Sequence, residues 1–279
     1  MRGGGAERVL VEVVNGLVAR GHEIQVLTFD APGVGFYALD PKVLRLDTGI
    51  GLPARPTPRS GFLRAIPRIR RLVRDARVDL VVAFMHSTYV PLAMALLGSA
   101  ARLVVSEHAD ATHFRTRPMR QILVKAVERI AEAKTVPSAP LRDEHPATTR
   151  YRVYVLPNPV DLDAFAAIPT ISPARPPVIT SVGRLMAEKG HIDLIRAFAK
   201  LNAHFPDWSL RRVGDGELRP QLEAEIARLG LAGRVHLAGV SRDMAAEYAA
   251  ATIVALPSLS ESFGLVAAEA LASGRPVLA

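Results

Sequence analysis

The feature that most constrains this chain is an alternation of two hydrophobic periods, run through twice. Stretches with an apolar residue every three or four positions take turns with short continuous apolar runs from residue 6 to 156, and the alternation restarts at 178. Ala6 to Arg20 sets Val9, Leu10, Val13, Val14 and Leu17 on one helical face and meets a helix-terminating Gly21. Glu23 to Phe29 (EIQVLTF) then reads as a buried strand. Further strands are expected at Val43–Leu46, Val78–Phe84, Arg102–Ser106, Thr135–Ser138 and Tyr151–Leu156, with helices at Gly61–Arg77, Pro91–Leu97 and Pro118–Ala133. The second series has strands at Val178–Val182, Ser209–Val213, Arg234–Leu237, Ile253–Leu256 and Pro276–Ala279. Its helices fall at Gly190–Leu201, Glu217–Leu229, Arg242–Ala250 and Gly264–Ala272.

Strands that alternate with helices build parallel sheets covered on both faces, so the fold class is α/β. The stretch Pro157 to Pro177 is rich in proline and small residues and connects the two series. A first domain is expected over 1–165, a linker over 166–177 and a second domain over 178–279. Two such domains imply a cleft, with ligands beyond the C-terminal ends of the strands.

Composition removes several classes. There is no cysteine, which excludes disulfides and thiolate metal sites and fits a reducing compartment. The net charge of +8 is carried by 30 Arg against 5 Lys. It points either to an anionic partner or to a coding bias that also favours Ala, Leu, Val and Pro. A nucleic-acid binder would interleave aromatics with basic patches, and at 5% aromatic residues that class is set aside. The N-terminus lacks a signal-peptide core. Leu80–Ala101 is long enough to span a membrane, but His86, Ser87, Thr88 and Pro91 break it into strand, loop and helix. A soluble, cytoplasmic protein is expected.

Three constellations stand at expected strand or helix ends. Gly3, Gly4 and Gly5 open the first helix, where bare backbone N–H groups can meet a phosphate or simply turn the chain. Gly3-x-Gly5-x-x-Arg8, with Asp30 after the next strand, is a poor dinucleotide fingerprint because Arg8 replaces the third glycine. Gly183-Arg184-Leu185-Met186-Ala187-Glu188-Lys189-Gly190 puts two cations five residues apart at a helix start, where they oppose the helix dipole unless an anion is bound. Arg supplies a planar fork and Lys a point charge, a pairing suited to a diphosphate. Glu261-Ser-Phe-Gly-Leu-Val-Ala-Ala-Glu269 places one acid at a helix start and another within an apolar helix, where a carboxylate needs a partner such as a ribose hydroxyl. An acid favouring the helix dipole and a merely exposed Glu would also fit. A fourth feature is the arginine row Arg64, Arg68, Arg70, Arg71, Arg74 and Arg77 beside Leu63, Ile66, Ile69, Leu72 and Val73. It is either a solvated helix face or a contact for anionic lipid.

With GGGAERV (Gly3–Val9), SEHAD (Ser106–Asp110), PNPVD (Pro157–Asp161), GRLMAEKG (Gly183–Gly190), GDGELR (Gly214–Arg219) and the Glu-x7-Glu run Glu261–Glu269, the chain resembles the retaining glycosyltransferases of family 4 along essentially its whole length. The resemblance implies the GT-B architecture, two facing Rossmann-like domains. It implies that Arg184 and Lys189 hold and stabilise a departing diphosphate and that Glu269 binds ribose. It also implies that Glu261 faces the donor sugar, that the N–H groups of Phe263, Gly264 and Leu265 cap phosphate oxygens, and that Gly4, Gly5 and Gly183 border the phosphates. His108 would reach the transferred sugar, although a lone His is more often structural. No metal and no cofactor are implied; the partners are a nucleotide sugar, UDP-linked by analogy with bacterial surface-polysaccharide enzymes, and a glycan or lipid-linked acceptor. Such members associate peripherally with the inner membrane face through basic N-terminal surfaces. A GT-B sugar-nucleotide epimerase or an inactive fragment is the alternative. Family members begin with an apolar strand before the glycine loop and continue past the last motif, so an N-terminal strand and a C-terminal part are expected to be missing here.

Overall fold

The computed structural model describes residues 4–29, 36–48, 59–108, 118–166, 168–169 and 175–279, with the backbone alone at 59–64, 118–121 and 166. Gly3, Asp30, Asp110, the Arg64 side chain and residues 170–174 of the expected linker lie outside that description. The chain forms two units, 1–159 and 160–279.

In the first unit, α1 (Gly5–Ala19) buries Val9, Val11, Val14 and Val18 and leads to β1 (Gln25–Thr28) and β2 (Leu44–Asp47). Then come α2 (Arg59–Ala76), β3 (Leu80–Phe84), α3 (His86–Leu96), β4 (Arg102–Ser106), α4 (Pro118–Ile130) and β5 (Ala133–Val136). The short α5 (Ala139–Asp143) and α6 (Ala147–Arg150) precede β6 (Val153–Val155). One core joins Ala65 and Ile69 of α2, Tyr89 and Leu92 of α3, Ala83, Leu103 and Val105 of the sheet and Val124 and Val127 of α4.

Among the described residues all strand pairing in this unit is parallel, and it falls into two sheets, β1-β2 and β3-β4-β5-β6. A cavity between them is lined by Gln25, Leu27 and Phe29 on one side and by Leu80, Val81 and Val82 on the other. Consecutive residues of a strand point to opposite faces, so a cavity touching Leu80, Val81 and Val82 meets β3 at its hydrogen-bonding edge. Leu80 and Val82, 44% and 49% exposed, lack the cover that a central strand of a parallel sheet normally has.

The second unit contains α7 (Asp163–Ala166), β7 (Val178–Val182), α8 (His191–Leu201), β8 (Ser209–Val213), α9 (Arg219–Arg228), β9 (Val235–Gly239), α10 (Met244–Ala250), β10 (Ile253–Ala255), α11 (Leu265–Ala272) and β11 (Val277–Leu278). Its five strands pair in parallel in the order β11-β10-β7-β8-β9. Side chains alternate across β7: Ile179 joins the core of Ile195, Phe198, Leu210 and Leu222 under α8 and α9, while Val182 joins Tyr248, Val254 and Ala270 on the other face. Leu210, Leu222 and Ile195 are fully buried, each stabilising the fold by about 1.5–3 kcal/mol.

Two expectations shift. The units part at residue 159 rather than within 166–177, because Phe165 stacks edge-on against Tyr248 at 5.6 Å and is 2% exposed in the second core. The helix expected at Pro91 begins at His86, with Pro91 inside it. Thr88 makes that earlier start workable, its hydroxyl donating to the carbonyls of Phe84 and Met85.

Candidate functional site

The order β10-β7-β8 places three loops side by side at the C-terminal edge of the second sheet. The loop after β7 runs from Gly183 to Gly190; Gly183 has φ +155 and Gly190 φ +60, a left-handed conformation that suits glycine. Its methylenes fold back, with Lys189 Cγ and Cδ 3.9 Å from where a Cβ on Gly183 would stand. The loop after β10 is tied to it by the Leu259 N–H donating to the Glu188 carbonyl at 2.9 Å. The loop after β8 is tied to it by the Leu185 N–H donating to the Asp215 carbonyl at 3.0 Å.

Several of the expected residues stand on these loops. Gly183, Arg184, Lys189, Glu261, Phe263, Gly264 and Leu265 all belong to the first two loops or to the start of α11. Gly264 stands at the N-cap of α11 in the left-handed conformation with no side-chain cap, which leaves that end to backbone N–H groups. The electrostatics are finer than the motif. Lys189 Nζ lies 2.6 Å from Glu261 Oε1, both side chains 27% exposed, so one cation is already neutralised. Arg184 is exposed and has no ion pair among the described residues. Glu269, the fifth residue of α11, is 3% exposed and accepts the Tyr248 hydroxyl at 2.7 Å. A carboxylate has about four acceptor positions, so this bond uses one of them. Tyr248 itself was not visible as a partner, since it lies in the core of another helix.

The other expected residues stand in the first unit. Gly4 is the N-cap of α1, with φ −109, and Gly5 its first residue. Glu7, at the third helical position, brings its carboxylate against Gly4, so an acid already faces this helix start. His108 follows β4. Its ring stacks on Phe84 at 4.3 Å and 22°, and its Nε2 lies 3.0 Å from Ser106 Oγ. Thr135 Oγ1 lies 2.9 Å from Ser106 Oγ, so the two hydroxyls and the imidazole form one chain. Burial pushes His108 down to about 4, against an opposing pull from Glu107, so the ring is neutral near pH 7.

Glu107, inside the quoted SEHAD run, was not singled out from the sequence, and the structure buries it beside His108. It is 5% exposed; its Oε1 accepts the His108 backbone N–H at 3.0 Å, and its Oε2 lies 3.5 Å from the Tyr89 hydroxyl. Burial, then Glu107, raises Tyr89 well above its ordinary value and keeps that hydroxyl a donor. Among the described residues no cluster of His, Asp and Glu is arranged to hold a metal ion, and no helix is long and apolar enough to cross a membrane.

Two Rossmann-like units with parallel sheets make this a GT-B glycosyltransferase fold. The Glycosyltransferase Family 4 model matches residues 3–164 and the Glycosyl transferases group 1 model residues 168–279, and the chain belongs to this family. It is 25% identical over 279 residues, 97% of this chain and 74% of the other, to the GalNAc-alpha-(1->4)-GalNAc-alpha-(1->3)-diNAcBac-PP-undecaprenol alpha-1,4-N-acetyl-D-galactosaminyltransferase of Campylobacter jejuni. The fold matches sucrose-phosphate synthase from Thermosynechococcus elongatus with a TM-score of 0.81 at 22% identity, covering 98% of this chain and 75% of that one. It also matches Anabaena HepE in complex with UDP-glucose, with a TM-score of 0.75 at 23% identity, over 99% of this chain and 77% of that one.

Proposed function

We propose that the chain transfers a sugar, with retention, from a UDP-sugar to a glycan or lipid-linked acceptor. The observation that carries this is the pairing of Arg184 and Lys189 on one strand-end loop, which Glu261 ties to the loop leading into the start of α11, an end without a side-chain cap. In the reaction the bond from the anomeric carbon to the diphosphate oxygen breaks, and its electron pair stays on that oxygen. Arg184, Lys189 and the α11 N–H groups stabilise the charge that develops there, work that needs no divalent cation. The acceptor hydroxyl attacks from the same face and its proton passes to the departing diphosphate. Glu269 holds the ribose, and Glu261 turns from Lys189 towards the donor sugar. His108, being neutral, hydrogen-bonds the sugar without opposing the oxocarbenium-like charge. The UDP-glucose bound to HepE and the lipid-linked glycan named for the Campylobacter jejuni enzyme support the donor and acceptor classes.

The exposed Arg68, Arg70, Arg71 and Arg74 on α2, with Arg77 just after its end, support a peripheral contact with anionic lipid at the inner membrane face. Product analysis with radiolabelled UDP-sugars tests the assignment: transfer to an added acceptor with retained anomeric configuration is expected. Interconversion of the free nucleotide sugar would make the protein an epimerase instead.

A further inference from the structure

The loop Gly183–Gly190 is fixed on three sides, two of them by backbone. On the β8 side, a Cβ on Gly214 would strike the Gly183 carbonyl and one on Gly216 the backbone of Leu185, while the Leu218 N–H donates to the Leu185 carbonyl at 3.1 Å. On the β10 side, Gly190 packs on the Pro257 carbonyl. The third side is a side-chain contact from below. His191, the first residue of α8, sets its Nε2 2.6 Å from the Arg184 carbonyl oxygen, and Arg212 of β8 sets its Nη2 on His191 Nδ1. His191 is 2% exposed and Arg212 is fully buried.

Elementary chemistry orders these contacts. A carbonyl oxygen only accepts, so Nε2 carries the ring proton; a guanidinium only donates, so Nδ1 offers its lone pair. The neutral Nε2–H tautomer alone satisfies both. Burial, then the charge of Arg212, pushes His191 down to about 4, in keeping with that form. Arg212 meanwhile stands where packing alone would place an apolar residue, as at Leu210 two positions earlier on the same face. Its Nε and Nη1 are buried without a hydrogen-bond partner, as is the Oγ of Ser181, its neighbour in the β7–β8 register. Burying a guanidinium this way is costly, and desolvation lowers Arg212 to about 9. A costly cation aimed at one imidazole calls for a role other than filling the core.

We propose that Arg212 and His191 form a buried relay that positions the donor site: the guanidinium fixes the imidazole, and the imidazole holds the Arg184 peptide so that Arg184 and Lys189 are presented before the donor arrives. This rests on the reading of Arg184 and Lys189 as the diphosphate site. Both relay members are positioning residues: His191 bonds the Arg184 peptide, and Arg212 acts through His191.

Two measurements test it. Long-range proton–nitrogen NMR of the free protein at pH 7 should show His191 as a neutral Nε2–H ring; an imidazolium or an Nδ1–H ring would overturn the relay. Calorimetric titration with UDP forms the second arm. His191→Phe should weaken UDP roughly three- to tenfold, the worth of one hydrogen bond, while His191→Gln, whose amide can both donate and accept, recovers most of the loss. The double variant His191→Phe/Arg212→Leu removes the buried charge together with its acceptor, so its fold is kept; it should bind UDP as weakly as His191→Phe. Wild-type affinity in that folded double variant would overturn the proposal. If Arg184→Ala leaves UDP binding unchanged, the diphosphate reading fails instead, whatever the tautomer.

Discussion

Lys189 carries two partners in turn, Glu261 in the free protein at 2.6 Å and the donor diphosphate in the proposed complex. The exposed pair itself stabilises the fold by under about 1 kcal/mol. Its consequence is for binding: Lys189→Ala removes a cation and also leaves the Glu261 carboxylate bare beside the phosphates. Lys189→Ala should therefore weaken UDP more than Lys189→Ala/Glu261→Ala does, and Glu261→Gln should tighten UDP while slowing transfer. Additive losses, measured by calorimetry and initial rates, would separate Glu261 from the cation. A second expectation concerns protons. His108 and His191 both titrate near 4 in the folded state, below the 6.5 of the unfolded chain. Between these values the unfolded state binds more protons than the folded one, so stability is full above pH 6.5 and falls as pH drops towards 4. Melting temperatures across pH 7.5 to 4 should decline in that window, and less in His108→Phe; a flat profile would mean that the rings are solvated. Spacing alone singles out Arg184, Lys189, Glu261 and Glu269. Their contacts were not legible: Tyr248 reaches Glu269 from 21 positions away and Glu261 reaches Lys189 from 72, and such contacts exist only once strands are ordered in a sheet.

Among the elements, long periodic segments were legible and short ones were not. α8, β7, β8 and α11 stand within a residue or two of where apolar spacing puts them. α5, α6 and α7, four or five residues each, are too short to show a helical period. The loop between β7 and α8 turns on Gly190, which is left-handed and leaves no room for a Cβ against the Pro257 carbonyl. Gly190→Ala should cost on the order of 1–3 kcal/mol, read as a lower denaturation midpoint, and should weaken UDP by moving Lys189. Gly233, where no atom approaches an added Cβ, is the control: Gly233→Ala should leave UDP binding unchanged. Equal effects at both positions would remove the loop geometry from the explanation.

For the whole molecule, two α/β series were legible in the pattern of hydrophobic periods, but the division at residue 159 was not, because Phe165 belongs to the second core. The order of strands was not, because register and adjacency follow from packing rather than from period. That order also leaves an apolar cavity lined by alternate residues of β1, Gln25, Leu27 and Phe29, and by consecutive residues of β3, Leu80, Val81 and Val82. The central claim, that the loop edge of β10, β7 and β8 is a sugar-nucleotide site, is tested most directly by titrating the protein with UDP and following the Arg184→Ala variant beside it. The account predicts saturable binding of UDP, weakened in Arg184→Ala by about 1.5–3 kcal/mol, the worth of a charged hydrogen bond. Equal UDP affinity in the two folded proteins would contradict it.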